Sequence, residues 1–242
     1  MKYKSSHFFL IRWLDKLLKA NPELTILDLG SGLSRPLRSL FEKYPHLNYI
    51  GLEPEKGLAH MAKAELSRYP NVKIIEAPAD DRFVSLGQFD VVLSLSVLEH
   101  VKDLKNFLEF SVEHLKKDGQ LVHIYDLGHY YYPSWGSTLL LRICRWPFFR
   151  ALIPHPYFMV YVDQKEVEGL LTQAGAKIID ITYHNSPVSG SFIKELLEIK
   201  KNPVLIERLI DLEVVLGNLV KDISTRPREK TFPTIAIWAQ KL

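Results

Sequence analysis

The spacing of apolar residues changes period several times along the chain, and each change marks an element. Phe9, Trp13, Leu14, Leu17 and Leu18 fall at helical spacing within 6–20, which predicts an amphipathic helix ended by Asn21-Pro22. A compact apolar run from Leu24 to Leu29 then stops at Gly30-Ser31-Gly32. Its brevity and glycine boundary predict a buried strand. Ser34 is placed to cap the next helix, with Pro36 in its first turn and Tyr44 near its end. The alternation repeats with strands over 48–52, 72–76 and 89–95 and helices over 56–68 and 104–115. A turn at Asp118-Gly119 leads into a fifth strand over 121–125. This pitch predicts an α/β fold, a doubly wound, mostly parallel sheet with helices on both faces.

After Asp126 the pattern breaks. Residues 127–161 crowd Tyr130, Tyr131, Tyr132, Trp135, Trp146, Phe148, Phe149, Tyr157, Phe158 and Tyr161 together with prolines. A helix over 164–174 and a strand over 177–183 resume the pattern, a helical stretch over 191–222 interrupts it again, and a strand over 234–238 closes a seven-stranded sheet. We expect one domain over 1–242, with an N-terminal helical segment (1–22), an aromatic lid insertion (127–163) and a helical insertion (188–230) before the last strand. Both insertions leave the sheet where α/β folds place their ligands.

Composition narrows the classes. Of 242 residues, 47% are hydrophobic and 24% charged, which suits a globular core and excludes a disordered or fibrous chain. The net charge of +3 is a mild excess without the dense basic stripe of a nucleic-acid binder, so no nucleic-acid partner is expected. Cys144 is the one cysteine, so no intrachain disulfide or thiolate metal cluster can form. There is no signal-peptide pattern at the start and no charge-free apolar run of about 18 residues, so the cytoplasm is the expected address. No metal is expected, because His and acidic residues lack ligand spacing.

The strongest local signal is Asp28-Leu29-Gly30-Ser31-Gly32-Leu33-Ser34. A strand ends, the chain turns, and glycines let backbone approach a ligand, with the free N–H groups of the following helix expected to face the crevice. Glu53, at the tip of the next strand, is placed to accept hydrogen bonds from a ribose diol. Dinucleotide and adenosyl binders share this much. A dinucleotide fingerprint needs a glycine at position 35, where this chain has Arg35, which would crowd helix against strand. Asp28 can order the loop or reach a cationic amino-acid moiety.

The run Ile26-Leu27-Asp28-Leu29-Gly30-Ser31-Gly32 resembles the first motif of class I S-adenosylmethionine-dependent methyltransferases. The likeness continues through Glu53, Phe89-Asp90-Val91-Val92, Leu98-Glu99-His100-Val101 and Leu115-Lys116-Lys117-Asp118-Gly119-Gln120-Leu121, over about 24–126. It implies the Rossmann-like methyltransferase fold, S-adenosylmethionine as cofactor and S-adenosylhomocysteine as product. It also implies a cofactor set of Asp28, Gly30, Ser31, Gly32, Glu53, Pro54, Ala79, Asp80, Leu95 and Ser96. Within it Gly30 and Gly32 pass under the methionine part, Glu53 holds the ribose, Ala79 and Asp80 meet the adenine, and Leu95 and Ser96 lie near the methionine amino group. The chain departs from the family at Ser34, in place of a third glycine, and at Pro78, where an acidic residue is common.

Methyl transfer needs an aligned acceptor and, for an alcohol or phenol, a base. His100, beside Glu99 after the fourth strand, and His129, after the fifth, are the candidates by position. The alternatives are a cap or packing role for His100 and a surface or aromatic-cluster role for His129. His123, in mid-strand, reads as a satisfied core histidine, and His155 as lid surface. The leading expectation is transfer to a small O or N acceptor, hydrophobic or lipid-like if the aromatic segment lines its pocket. Arginines and large apolar residues over 138–150 could also rest on an anionic membrane surface. A catalytically silent adenosyl-binding scaffold and an NAD-dependent oxidoreductase are the alternative functions.

Overall fold

The computed structural model describes residues 4–79, 86–127, 158–186, 203–220 and 225–242. The expectations for Asp80, His129, His155 and 138–150, and most of both insertions, lie outside the described residues. The seven predicted strands are all present: β1 (Thr25–Leu29), β2 (Asn48–Glu53), β3 (Val72–Glu76), β4 (Phe89–Leu95), β5 (Leu115–Asp126), β6 (Ala176–His184) and β7 (Thr234–Lys241). The helices are α1 (Ser5–Ala20), α2 (Arg38–Lys43), α3 (Lys56–Leu66), α4 (Leu104–Glu113), α5 (Gln164–Gln173), α6 (Pro203–Leu219) and α7 (Thr225–Thr231).

The strands form one sheet in the order β3-β2-β1-β4-β5-β7-β6, and β7 alone runs antiparallel to its neighbours. Adjacent residues of β1 face opposite sides and are buried on both. Ile26 packs with α1, α2 and α3, whereas Leu27 and Leu29 pack with α4 and α5. Burial on both faces explains why this strand reads as an unbroken apolar run. The chain goes from β1 to β2 on one side and later places β4 on the other. The ends of β1 and β4 therefore flank the topological switch point, where open α/β sheets bind ligands.

Several boundaries move. The turn expected at Asp118-Gly119 lies inside β5, where Asp118 takes φ 61° and the pairing with β4 is irregular. Ser34 does not cap a helix: it has φ 47°, precedes a 3-10 turn at Arg35–Leu37, and bonds Tyr49 instead. Arg35 does not crowd the strand, because its side chain points outward toward Glu65 at 3.6 Å. Among the described residues no helix is long and apolar enough to cross a membrane.

The start of α1 is stapled to the far end of the sheet. Asn185, just past β6, donates through Nδ2 to Ser6 Oγ at 2.9 Å and to Thr234 Oγ1 at 2.7 Å. Ser5 Oγ bonds Glu213 of α6. These buried polar contacts hold the first turn of α1 beside the ends of β1 and β4.

Candidate active site

A crevice of about 420 Å³ opens at the switch point. Its lining includes Asp28, Gly30, Ser31 and Gly32 from the end of β1, and Leu95 and Ser96 from the end of β4. Six of the expected cofactor residues are thus brought together. Glu53 and Pro54 stand at the tip of β2 and Ala79 just beyond β3, outside this cavity but along the same edge of the sheet. Lys4, His7 and Leu10 of the N-terminal segment also line the crevice. Nothing in the local sequence singled these out, because only the tertiary staple at Ser5 and Ser6 brings them there.

The loop after β1 is shaped by β2. The N–H groups of Gly30 and Ser31 both donate to the Leu52 carbonyl at 2.9 Å, and that of Gly32 donates to Glu53 Oε2 at 2.8 Å. The other oxygen of Glu53 accepts the Glu55 N–H at 2.9 Å. Gly30 takes φ 75°, and a Cβ on it would lie 2.7 Å from Val97. Gly32 takes φ 53° and borders open space. Gly51 lets the loop settle on β2, since a Cβ there would meet Ser31 Oγ at 2.6 Å.

These bonds correct one expectation. The N–H groups of Gly30, Ser31 and Gly32 are not free for a ligand, because Leu52 and Glu53 already accept them. Ser34 donates its own N–H to Ser31, and Pro36 has none. A pyrophosphate-binding loop needs such donors free. This one offers carboxylates instead, which suit a cationic ligand.

Asp28 is central to that charge pattern. It is 4% exposed; Oδ2 accepts the Tyr49 hydroxyl at 2.6 Å, whereas Oδ1 is buried with no partner. With its proton given to Asp28, Tyr49 can only accept from Ser34 Oγ, 2.8 Å away. Burial pushes the Asp28 carboxyl up to about 7, opposed by the Tyr49 bond and aided by the nearby charge of Glu53. His7, which also lines the crevice, is pushed down to about 4 by burial and by Lys4.

Beyond β4, Glu99 and His100 lie in a 3-10 turn over Leu98–His100, not at the start of a helix. Glu99 is 2% exposed, and burial pushes it up to about 8. His100 is partly exposed, and its Nδ1 lies 2.9 Å from the Phe158 carbonyl. A carbonyl only accepts, so Nδ1 carries the proton and the lone pair of a neutral ring sits on Nε2. His123 is the core histidine its position suggests, held between Ser94 at 2.8 Å and Ser111 at 3.2 Å.

Residues 27–121 match the family model described as a methyltransferase domain. A ubiquinone biosynthesis O-methyltransferase of Bartonella quintana is 28% identical over 180 residues, 70% of this chain and 67% of that protein. A trans-aconitate 2-methyltransferase of Deinococcus radiodurans is 26% identical over 50% of this chain and 45% of its own length. Among solved structures, a putative sarcosine dimethylglycine methyltransferase from Galdieria sulphuraria superposes with a TM-score of 0.60 at 12% identity, covering 97% of this chain and 86% of that one. That last likeness concerns the fold.

The crevice fits S-adenosylmethionine, whose sulfonium and ammonium groups are cationic: Asp28 holds an unpartnered buried oxygen, Glu53 stands at the tip of the neighbouring strand, and Gly32 leaves room beside them. Sheet order, the loop after β1 and the sequence matches are similar to those of S-adenosylmethionine-dependent methyltransferases.

Proposed function

We propose that this enzyme methylates a hydroxyl oxygen of a small molecule, with His100 taking the acceptor's proton. The orientation of His100 carries this reading. The Phe158 carbonyl fixes the proton on Nδ1 and leaves Nε2 as the base, on a partly exposed ring just beyond the end of β4. The name of one curated relative, O-methyltransferase, supports an oxygen acceptor.

The bound cofactor supplies an electrophilic methyl and a neutral leaving group. The chain's part is to hold and orient. Asp28 would hold the methionine ammonium, with Leu95 and Ser96 near it. Glu53, which already accepts loop N–H groups, would also accept from the ribose hydroxyls, and Ala79 would meet the adenine. Lys4 and His7 line the same crevice as Asp28. Nε2 of His100 would take the proton that the acceptor hydroxyl gives up on methylation.

The test is thermal stabilisation followed by turnover. S-Adenosylhomocysteine should raise the melting temperature by mass action and NAD should not. With the methyl donor, turnover should appear against phenols or other hydroxyl compounds. Stabilisation by NAD alone would overturn the cofactor assignment, and turnover confined to amines would overturn the acceptor class.

A further inference from the structure

Position 34, where a serine stands in place of a third glycine, is tied to Asp28 by a buried chain of hydroxyls. β1 and β2 run parallel with Ile26 level with Tyr49 and Asp28 level with Gly51, so Tyr49 and Asp28 share a face two residues apart. That step is about 6.6 Å, which a tyrosine side chain spans. The Tyr49 ring packs on Phe41, with centroids 4.8 Å apart, and its hydroxyl donates to Asp28 Oδ2 at 2.6 Å. The one hydroxyl proton of buried Ser34 can go to Tyr49 Oη at 2.8 Å or to the Ser31 carbonyl at 3.5 Å. With the Tyr49 proton committed to an ionised Asp28, the shorter contact takes it. Donation therefore runs one way, from Ser34 to Tyr49 to Asp28, and each bond strengthens the next.

We propose that Tyr49 and Ser34 are positioning residues for cofactor binding: their relay occupies Asp28 Oδ2, supports its charge and leaves Oδ1 for the cofactor's ammonium group. This rests on the reading that Asp28 meets that ammonium. Oδ1 is buried without a partner, on a side chain that lines the crevice, so a ligand there would satisfy it. A buried carboxylate that loses its donor holds its charge less readily.

The other groups around Asp28 do not duplicate this effect. From β2, the charge of Glu53 opposes ionisation of Asp28, whereas the Tyr49 bond favours it. From the N-terminal segment, Lys4 and His7 line the crevice. Lys4 pairs with Asp126 at 3.6 Å, and His7, held at about 4, stays neutral where Asp28 titrates. Arg35 faces Glu65, and the end of β4 brings Leu95 and Ser96, which carry no charge. Among the described residues, Tyr49 is the side chain that bonds the carboxylate.

Calorimetric titration of S-adenosylhomocysteine into the full chain at about pH 6, 7 and 8 tests this. Each variant is compared with the wild type at the same pH, which cancels the titration of the ligand's own ammonium. Tyr49→Phe keeps the ring and removes the donor, so Asp28 should ionise at higher pH. Its affinity should fall on the order of tenfold at about pH 6, a deficit that shrinks to about twofold at about pH 8. Ser34→Gly removes the hydroxyl at φ 47°, a conformation that suits glycine. It should show the same trend, about twofold at about pH 6. A Tyr49→Phe deficit equal at every pH means a packing role and overturns the proposal, as does an unchanged affinity. If Tyr49→Phe does not fold, Ser34→Gly decides: a deficit confined to low pH supports the relay, and none overturns it. Asp28→Asn separates the two readings. Wild-type affinity there removes Asp28 from the site and the relay with it, whereas weak binding beside an unaffected Tyr49→Phe overturns the relay alone.

Discussion

The Glu53 carboxylate accepts the Gly32 N–H at 2.8 Å, joining the tip of β2 to the loop after β1. One side chain therefore shapes the loop and stands where the cofactor's ribose is proposed to lie. Glu53→Ala should weaken S-adenosylhomocysteine binding by roughly 2 kcal/mol or more, because a charge-assisted bond and the loop's shape are lost together. Calorimetric titration checks this, and an unchanged dissociation constant would refute the role.

Asp28 should make cofactor binding pH-dependent. Its carboxyl stands near 7 in the free protein, and a bound ammonium would favour the ionised form. Binding should release a proton below pH 7, so affinity should fall as pH drops through 7 and level off above it. Asp28→Asn should bind weakly and lose this dependence. Titrations at about pH 6 and pH 8 give the comparison.

His100→Gln should lower kcat by about a hundredfold or more for an oxygen acceptor and leave S-adenosylhomocysteine affinity within about twofold. A wild-type kcat in His100→Gln would remove the residue from the mechanism.

Stability should peak near pH 6.5. Burial holds His123 at about 3 and His7 and His184 at about 4, below the ordinary 6.5. Unfolding lets them take up protons, so they weaken the fold as pH falls below 6.5. Asp28 at about 7 and Glu99 at about 8 act in reverse, since unfolding releases their protons and stability falls as pH rises through 4 to 8. Between about 4.5 and 6.5 the three histidines outnumber the two acids, and above 6.5 only the acids titrate. Melting temperatures across this range check the maximum. Glu99→Gln should raise stability at pH 8.5 by on the order of 1–3 kcal/mol.

The strand pattern was legible along the chain because burial on one face or two imposes a period that neighbouring residues share. The seven strands, the glycines that bend the loop after β1 and the acid at the tip of β2 all follow from such local rules. So does His123, whose mid-strand position implied a satisfied core role. Contacts between distant residues left no such trace. Ser34 looks like a cap until Tyr49, 15 residues on, takes its hydroxyl. Arg35 looks obstructive until Glu65 draws it outward. The N–H groups of Gly30, Ser31 and Gly32 look free until Leu52 and Glu53 accept them.

Lys4 and His7 join the crevice because Asn185 and Glu213 hold the serines beside them, 180 and 208 residues away in sequence. The sequence by itself determined which segments are strands and where the chain must turn, because periodicity and glycine placement act over a few residues. The tertiary structure alone decided which donors remain for a ligand and which nitrogen of His100 keeps its lone pair. Hydrogen-bond partners and burial are properties of neighbours in space.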